Sequence, residues 1–517
     1  MSGEGGKGMK KLPAFARSAG VLLPLFSLPS AYGIGCFSRD VDLFVDIAAD
    51  MGFHWWQVLP LTVIGAGNSP YSGLSTFAGN SLFISPLGLY EDGLITKEEE
   101  EAARYRGEPY LVDYDFAREN TSRVLHLAFD RLTPTLREEM QKFAKEEEYW
   151  LEDYALFMAL SRERGTEWWK WESGLARRES KALAEAREKY AREVDYYRFE
   201  QFVFFRQWRA VLERVHERGV RIIGDLPFYV ATDSVDVWVR PSEFVLDKHN
   251  APAAYAGVPP DAFADKGQVW GNCLYDFAAM KKNRYTWWRR RISHCLGLYD
   301  ALRLDHFRAF YNYFSIPASS GSAADGHWEQ GPGQELIDLI RMDNPDALFI
   351  AEDLGLIDPD CREFIDNSGI PTMRVFQFGF DGTPSVHLPY RYESRNVAYT
   401  GTHDNNTTLG WLYELNPAAR DFALKYCGFS GAGWGSGGPS CMSTKVIIRT
   451  VLASAAVLAV IPVQDMLGYG ADTRINIPGT PEGNWRFRMQ YELMHTVDRD
   501  YFLDMNNTYG RLGGGRA

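Results

Sequence analysis

The chain has 517 residues and a formal net charge of −13, from 55 basic and 68 acidic side chains. Hydrophobic residues make up 45% and charged residues 24% of it, which is typical of a globular protein with one large core and an appended subdomain, or with two to three domains. The acidic balance and the lack of a basic stripe argue against a nucleic-acid partner, because phosphate groups would be repelled.

The N-terminal region and the cysteines bear on location. The apolar run "VLLPLFSLP" is broken by Pro24 and Pro29, which suits neither a signal peptide nor a spanning helix. The later run 451–463 is also too short to cross a bilayer. The six cysteines are scattered, with no C-x-x-C pair, as is typical of thiols in a reducing compartment. We therefore expect a cytoplasmic protein with no membrane partner, although a plastid protein stripped of its transit peptide would share these features.

Short apolar runs that end in polar residues recur along the chain, with helix-like stretches between them. Eight strands alternating with helices predict an α/β fold whose parallel sheet closes as a (β/α)₈ TIM barrel. An open, doubly wound sheet is the alternative, but it would normally carry a glycine-rich phosphate turn after its first strand, and none follows here. The predicted strands cover residues 21–26, 55–61, 220–230, 301–307, 347–354, 372–378, 397–404 and 459–467.

Amphipathic stretches at 40–52, 204–219 and 333–345 predict helices between these strands. Residues 97–197, after the second strand, are rich in Glu, Lys and Arg, which indicates exposed helices with charge pairs four residues apart. We expect a helical insertion subdomain there, within a single catalytic barrel that spans 1–517.

The stretch "ALRLDHFRAF" places charges inside an apolar run, although cores avoid unpaired charge. With a side-chain period of two, Leu302 and Leu304 would face the helices, and Arg303 and Asp305 would point together into the barrel. The guanidinium would then hold Asp305 in its charged form, suited to a nucleophile or a charge stabiliser. A purely structural ion pair is the alternative, but buried pairs seldom add much net stability.

Four of the predicted strands end in a carboxylate: Asp225, Asp305, Glu352 and Asp404. In such barrels the C-terminal ends of the strands carry the function. Glu352 follows an apolar run and precedes Asp353, so burial and a negative neighbour should raise its pKa, as a general acid requires. One ionised and one protonated carboxyl group are what cleavage of a glycosidic bond needs, and a separation of about 5–5.5 Å would imply a retaining reaction.

Eight motifs, in this order, resemble those of the amylomaltase or disproportionating-enzyme family, the 4-α-glucanotransferases of the α-amylase superfamily. They cover nearly the whole chain, and together with the opening "LPSAYGIG" they are far more specific than any one alone. The motifs are "SPYSGLSTFAGN" (69–80), "GDLPFYVA" (224–231), "AGVPPDAF" (256–263), "GQVWGNCLYD" (267–276), "LRLDHFRAF" (302–310), "IAEDLG" (350–355), "GTHDNNT" (401–407) and "QDMLGYGADTRINIPGT" (464–480).

The resemblance implies roles for matching residues. Asp305 corresponds to the catalytic nucleophile, Glu352 to the acid/base and Asp404 to a third carboxylate that binds the sugar. The residues that match substrate-binding positions around the cleavage subsite are Tyr71, Asp225, Arg303, His306 and His403. Those that match acceptor-side or lid-loop positions are Ser69, Gln268, Trp270 and Asn476. The resemblance also implies long loops at the C-terminal face, with a lid region at 240–290 over the cleft.

The activity implied is transfer of α-1,4-glucan segments from a maltodextrin or starch chain to the 4-hydroxyl of an acceptor glucan or glucose, through a glycosyl-enzyme intermediate. The implied partners are maltooligosaccharides, amylose and starch, with no metal or organic cofactor. An α-1,4-glucan hydrolase of the same superfamily is the enzymatic alternative. A non-catalytic glucan-binding protein is the other, and the three carboxylates argue against it. Oligomeric state leaves no signal in the sequence.

Overall fold

The computed structural model describes residues 13–65, 67–260, 266–380 and 385–513. Within these ranges, eight parallel strands close into a barrel, and five further strands form a separate antiparallel sheet. The strands are β1 (Ser18–Leu22), β2 (Trp55–Gln57), β3 (Arg221–Leu226), β4 (Val230–Ala231), β5 (Ala254–Val258), β6 (Gln268–Cys273), β7 (Ala301–Leu304), β8 (Asn312–Pro317), β9 (His327–Gln330), β10 (Leu348–Ala351), β11 (Thr372–Val375), β12 (Asn396–Tyr399) and β13 (Leu458–Pro462).

Helices surround the barrel and fill most of the segments between its strands. The helices are α1 (Asp40–Asp50), α2 (Pro86–Glu91), α3 (Lys97–Ala102), α4 (Tyr114–Asp130), α5 (Pro134–Glu146), α6 (Glu148–Arg164), α7 (Ser173–Ala176), α8 (Ser180–Lys189), α9 (Ala191–Glu217), α10 (Val235–Val239), α11 (Phe277–Lys282), α12 (Thr286–Leu296), α13 (Gly333–Asp343), α14 (Pro359–Ser368), α15 (Thr408–Glu414), α16 (Pro417–Tyr426), α17 (Met442–Ala453), α18 (Val463–Met466), α19 (Tyr491–Met494) and α20 (Arg499–Thr508).

The barrel strands follow one another in chain order, β1–β2–β3–β7–β10–β11–β12–β13, and β13 closes the ring on β1. Each of the eight predicted strands overlaps one of them, so the predicted (β/α)₈ barrel is confirmed. The first prediction, 21–26, was displaced, since β1 spans Ser18–Leu22. Pro24 has no N–H to donate to a strand ladder, and the chain enters a 3₁₀ turn at Leu25–Ser27.

Alternation along β7 separates the barrel interior from the outer layer. Leu302 and Leu304 belong to the large core that the strands form with the surrounding helices. Ala301 belongs instead to a smaller apolar cluster inside the barrel, together with residues from seven other strands such as Leu22 and Ile350. Arg303 therefore points inward, as the period of two predicted.

The segment between β2 and β3 is largely helical, from α2 to α9, with α6 packed against α9. Helix α9 passes through residue 197, where the sequence suggested that the insertion ends, and continues to Glu217. Its second half matches the predicted helix at 204–219. One continuous helix thus belongs both to the insertion and to the layer around the barrel. Its apolar face passes from one to the other without a break, and no capping residue interrupts it.

The antiparallel sheet has the order β4–β6–β5–β8–β9 and starts directly beyond the C-terminal end of β3. Strands β5 and β6 lie in the segment 240–290 and pair with a register shift between Tyr255 and Gly257. Much of this segment is therefore regular strand and helix, held at the C-terminal face of the barrel by β4 and β8.

A buried carboxyl group lies within the helical insertion. Glu200 of α9 is buried beside Tyr154 of α6, and burial raises its pKa to about 7 against the opposing effect of nearby hydrogen-bond donors. These donors include the Gln201 amide, 3.4 Å from the carboxyl oxygen. Because the folded-state pKa lies above that of the unfolded chain, the folded protein favours the protonated form.

We expect Glu200→Gln to stabilise the protein at pH 8 and to change its stability much less at pH 5. The ionised form is penalised once the pH exceeds the unfolded pKa, and the penalty is complete above the folded pKa of about 7. A shift of this size corresponds to roughly 3 kcal/mol. Unfolding by urea at both pH values checks the prediction, with the exposed Glu138→Gln of α5 as control. An equal effect of Glu200→Gln at the two pH values would contradict it.

Candidate active site

The carboxyl ends of the barrel strands bring the four predicted carboxylates to one face. Asp225 lies at the end of β3, in register with Arg303 of β7. Asp305 directly follows β7, Glu352 directly follows β10, and Asp404 lies in the loop after β12. Strand β7 lies between β3 and β10, so Arg303 lies between the strands that carry Asp225 and Glu352.

Arg303 holds two of these carboxylates at once. Its Nη1 atom lies 2.8 Å from both oxygens of Asp225 and 2.8 Å from Oδ1 of Asp305. The side chains of Arg303 and Asp225 are buried, whereas that of Asp305 is 26% exposed. Burial raises the pKa of Asp225, and the charge of Arg303 opposes that rise. Asp305 is thus the member of this cluster that is both fixed in position and open to a substrate.

Glu352 lies beside Asp305 in a different environment. Its carboxyl oxygens accept hydrogen bonds of 2.7 Å from the backbone N–H groups of His306 and Leu354. Burial raises the pKa of Glu352 to about 7; the charge of Arg303 lowers it and that of Asp305 raises it. A carboxyl group with this pKa can both give and take a proton near neutral pH.

The predicted cause of the raised pKa of Glu352 was partly wrong. Asp353, the negative neighbour in sequence, points away to Arg362 and Arg374, at 2.7 and 3.3 Å. Its charge is therefore compensated by two guanidinium groups. The negative charge that acts on Glu352 is that of Asp305, which comes from the adjacent strand.

His306 joins Asp305 and Glu352 through its backbone. Its φ of 47° lies in the left-handed region, which is uncommon for residues other than glycine and which recurs at functional sites. This conformation aims its N–H at Glu352. Burial lowers the pKa of the His306 imidazole to about 4, so the ring is neutral at physiological pH.

Asp404 is held from the loop that follows β13. The amide of Asn476 donates to Oδ1 of Asp404 at 2.6 Å, and Nε2 of His403 lies 3.3 Å from Oδ2. Arg474 donates to the backbone carbonyl of Asp404 at 2.7 Å. The Asp404 side chain is nevertheless 44% exposed, so its carboxylate is oriented yet accessible.

Three rings form a wall between Asp404 and Asp225. Tyr71 stacks on His403 with ring centroids 5.1 Å apart and an interplanar angle of 16°. Trp485 lies 5.9 Å from each of them. The Tyr71 hydroxyl donates to Asp225 at 2.8 Å, which ties the wall to the Arg303 cluster.

We expect Tyr71→Phe to lower kcat/KM for the α-1,4-glucan substrate that the motifs imply by about 3- to 10-fold, because it removes one hydrogen bond worth about 1 kcal/mol and keeps the ring. Tyr71→Ala removes the stacked ring as well and should cost at least ten times more. Steady-state kinetics of the two variants check the order. An alanine variant no worse than the phenylalanine variant would show that the ring has no part in the reaction.

The remaining predicted residues lie at the edge of this site. Ser69 accepts a hydrogen bond of 3.3 Å from the N–H of Tyr71, so it shapes the turn that carries this ring. On β6, Nε1 of Trp270 donates to Gln268 at 3.0 Å, and the Trp270 ring lies 5.2 Å from that of His306. Gln268 thus orients Trp270 on the side of the site where Glu352 lies.

Sequence reasoning missed three residues that the structure places here: Arg474, Trp485 and Tyr229. Arg474 and Tyr229 stand inside two of the quoted motifs, 464–480 and 224–231, and this is the signal that could have found them. Trp485 lies outside the motifs and looks like an ordinary core aromatic, so only its position beside His403 distinguishes it.

In the described part of the chain, no group of three or more His, Cys, Asp or Glu side chains has an arrangement that could hold a metal ion. In the same residues, no helix is both long enough and apolar enough to span a membrane.

Comparison with known proteins places this chain in a family. The family described as 4-alpha-glucanotransferase matches residues 23–494. The 4-alpha-glucanotransferase of Aquifex aeolicus is 40% identical over 96% of this chain and 99% of its own, and that of Thermus thermophilus is 40% identical over 92% and 95%. The structure of an amylomaltase from Streptococcus agalactiae in complex with acarbose superposes with a TM-score of 0.91 at 35% identity, covering 96% of this chain and 99% of that one. The chain therefore belongs to the 4-α-glucanotransferase family, as its motifs predicted.

Proposed function

We propose that this 4-α-glucanotransferase works by a retaining double displacement with Asp305 as nucleophile and Glu352 as acid/base. The observation that carries the proposal is the contrast between two adjacent carboxyl groups. Asp305 lies against the Arg303 guanidinium, whereas burial raises the pKa of Glu352 to about 7. Two carboxyl groups in such different environments suit the two roles that glycosyl transfer requires.

In the first step, the Asp305 carboxylate attacks the anomeric carbon of the donor glucan. The bond from that carbon to the leaving O4 breaks, and Glu352 delivers its proton to this oxygen. The products are a glucan with a free 4-hydroxyl and a glycosyl ester on Asp305. Arg303, which donates a hydrogen bond to Asp305 in the free enzyme, keeps the attacking carboxylate aligned. This reduces the entropic cost of reaching the transition state.

In the second step, the now ionised Glu352 takes the proton from the 4-hydroxyl of an acceptor glucan. That oxygen attacks the anomeric carbon, and the ester bond breaks to restore the Asp305 carboxylate. Two inversions at one carbon give net retention. Glu352 ends protonated, ready for the next cycle.

The other groups bind and orient the sugar. Asp404, held by Asn476 and by His403, presents an accessible carboxylate to ring hydroxyls. The wall of Tyr71, His403 and Trp485 offers an apolar surface to the same sugar. We assign Asp225 to the support of Arg303, and Ser69, Gln268 and Trp270 to the rim of the cleft.

The proposed donors and acceptors are α-1,4-glucans, from maltooligosaccharides to starch, since the related amylomaltase was solved with acarbose. We propose one catalytic unit over 1–517, in which 97–197 is an inserted subdomain and 240–290 forms the lid region. A cytoplasmic location fits the six free, buried cysteines. The Arabidopsis thaliana relative, 36% identical, is named chloroplastic/amyloplastic, which keeps the plastid as the alternative compartment.

The test is purified enzyme with maltotriose alone, with the products separated by size over time and the configuration of the newly formed linkages read by NMR. We expect glucose, a growing ladder of longer maltooligosaccharides, and the α configuration at every new linkage, because the reacting anomeric carbon ends bonded to the 4-oxygen of the acceptor. Glucose and maltose alone would show that water is the acceptor in the second step. New β linkages would overturn the double displacement.

A further inference from the structure

Two buried polar atoms on neighbouring rings have no hydrogen-bond partner: the hydroxyl oxygen of Tyr229 and Nε2 of His306. The two rings lie 6.0 Å apart, and the Trp270 ring lies 6.0 Å from Tyr229 and 5.2 Å from His306. Leaving such an atom unpaired costs about 1–3 kcal/mol, so two in one place call for a reason. The reaction itself uses neither atom in the steps derived above.

The position of these atoms relative to the cleaved bond follows from the chemistry. A general acid must lie on the leaving-group side, because it protonates the departing oxygen. His306 donates its N–H to Glu352, so this cluster lies on that side. Asp404, Tyr71 and Trp485 lie against His403 instead, on the donor-sugar side. The acceptor enters where the leaving group departs, and therefore meets Tyr229 and His306.

We propose that Tyr229 is an acceptor-binding residue, whose hydroxyl pairs with a hydroxyl group of the acceptor sugar together with Nε2 of His306. This rests on the proposed function, since it takes Glu352 as the acid/base. The neutral imidazole of His306 and the phenol of Tyr229 can each exchange a hydrogen bond with an uncharged sugar hydroxyl. The ligand class is a glucose unit with a free 4-hydroxyl.

A neighbouring tyrosine has a paired hydroxyl and offers a direct comparison with Tyr229. The ring of Tyr275 lies parallel to that of Tyr229, at 6.3 Å and an angle of 10°. Its hydroxyl is also buried, yet it donates to the carbonyl of Phe228 at 2.7 Å. The local packing can therefore satisfy a buried phenol, and it does so for one of the two rings only.

Access to the pair requires the Trp270 ring to move. Trp270 is 37% exposed and forms the outer layer of the cluster, whereas both unpaired atoms are shielded from solvent. The β6 backbone around it is held, since the Gly271 carbonyl accepts a hydrogen bond of 2.9 Å from the Thr232 hydroxyl and Asn272 pairs with Ala231 of β4. Rotation of the indole about its own side-chain bonds lets an acceptor sugar reach the pair and exclude water from the ester at the same time.

The experiment uses maltotriosyl fluoride as donor and glucose as the varied acceptor. Fluoride release reports formation of the glycosyl-enzyme, and the ratio of maltotetraose to maltotriose reports how acceptor competes with water. We expect Tyr229→Phe to raise the glucose concentration that gives half-maximal transfer by about 3- to 10-fold, the loss of one hydrogen bond. The effect should fall on this acceptor dependence rather than on fluoride release, and the thermal midpoint should stay level or rise.

Tyr275→Phe is the matched control, since it removes a satisfied buried hydroxyl from a neighbouring ring. It should lower the thermal midpoint and leave the glucose dependence as in the wild type. An unchanged glucose dependence in Tyr229→Phe would overturn the proposal and show that the hydroxyl only binds a buried water. Asp305→Asn in the same assay distinguishes failure of the Tyr229 proposal from failure of the proposed function, because fluoride release by that variant would overturn the proposed function itself.

Discussion

Asp305→Asn is expected to lower the rate of transfer from maltotriose by at least about 10⁴-fold, equivalent to about 5.5 kcal/mol of transition-state stabilisation. The amide has nearly the same shape and can still accept a hydrogen bond from Arg303, but it carries no charge and cannot form the glycosyl ester. The measurement is product formation from maltotriose over hours. Mass spectrometry of the denatured protein should show no added glucan.

The control for this variant is Asp338→Asn, an exposed position on α13 that is not among the candidate site residues. Both variants should unfold at the temperature of the wild type, to within a few degrees. Residual transfer above one per cent in Asp305→Asn, after contamination has been excluded, would remove Asp305 from the role of nucleophile.

Glu352→Gln is expected to slow transfer from maltotriose by about 10³-fold, within the range that general acid–base catalysis contributes. The loss should be much smaller in fluoride release from maltotriosyl fluoride, because fluoride departs without a proton. The comparison of the two donors is therefore the measurement. Equal losses with both donors would mean that Glu352 acts on binding or folding rather than on proton transfer.

The same residue sets the pH dependence of the first step. Glu352 must be protonated to act as the acid, and burial raises its pKa to about 7. For the wild type, kcat/KM for maltotriose should therefore fall as the pH rises through about 7, tenfold per unit at the steepest. Fluoride release by Glu352→Gln should not show this fall at alkaline pH. If the fall persists at the same pH in this variant, the titrating group is not Glu352.

Much of the fold could be read before the structure, because the barrel strands are short apolar runs whose period and spacing are local properties. The inward direction of Arg303 and Asp305 followed from alternation alone. The position of the first strand and the continuity of α9 through residue 197 were missed. A single proline decides the first, and an apolar face without a break decides the second. The lid region at 240–290 appeared to be loop, whereas pairing with β4 and β8 makes strands of it.

The sequence by itself determined which carboxyl groups meet at the C-terminal face, because strand ends in a closed parallel barrel share one edge. Only the tertiary structure decided what each of them can do. The pKa of Glu352 depends on burial and on Asp305 across a strand pair, while its sequence neighbour Asp353 is compensated by Arg362 and Arg374. The unpaired hydroxyl of Tyr229 is equally invisible in sequence, because electrostatic fields and hydrogen-bond partners come from residues far apart along the chain.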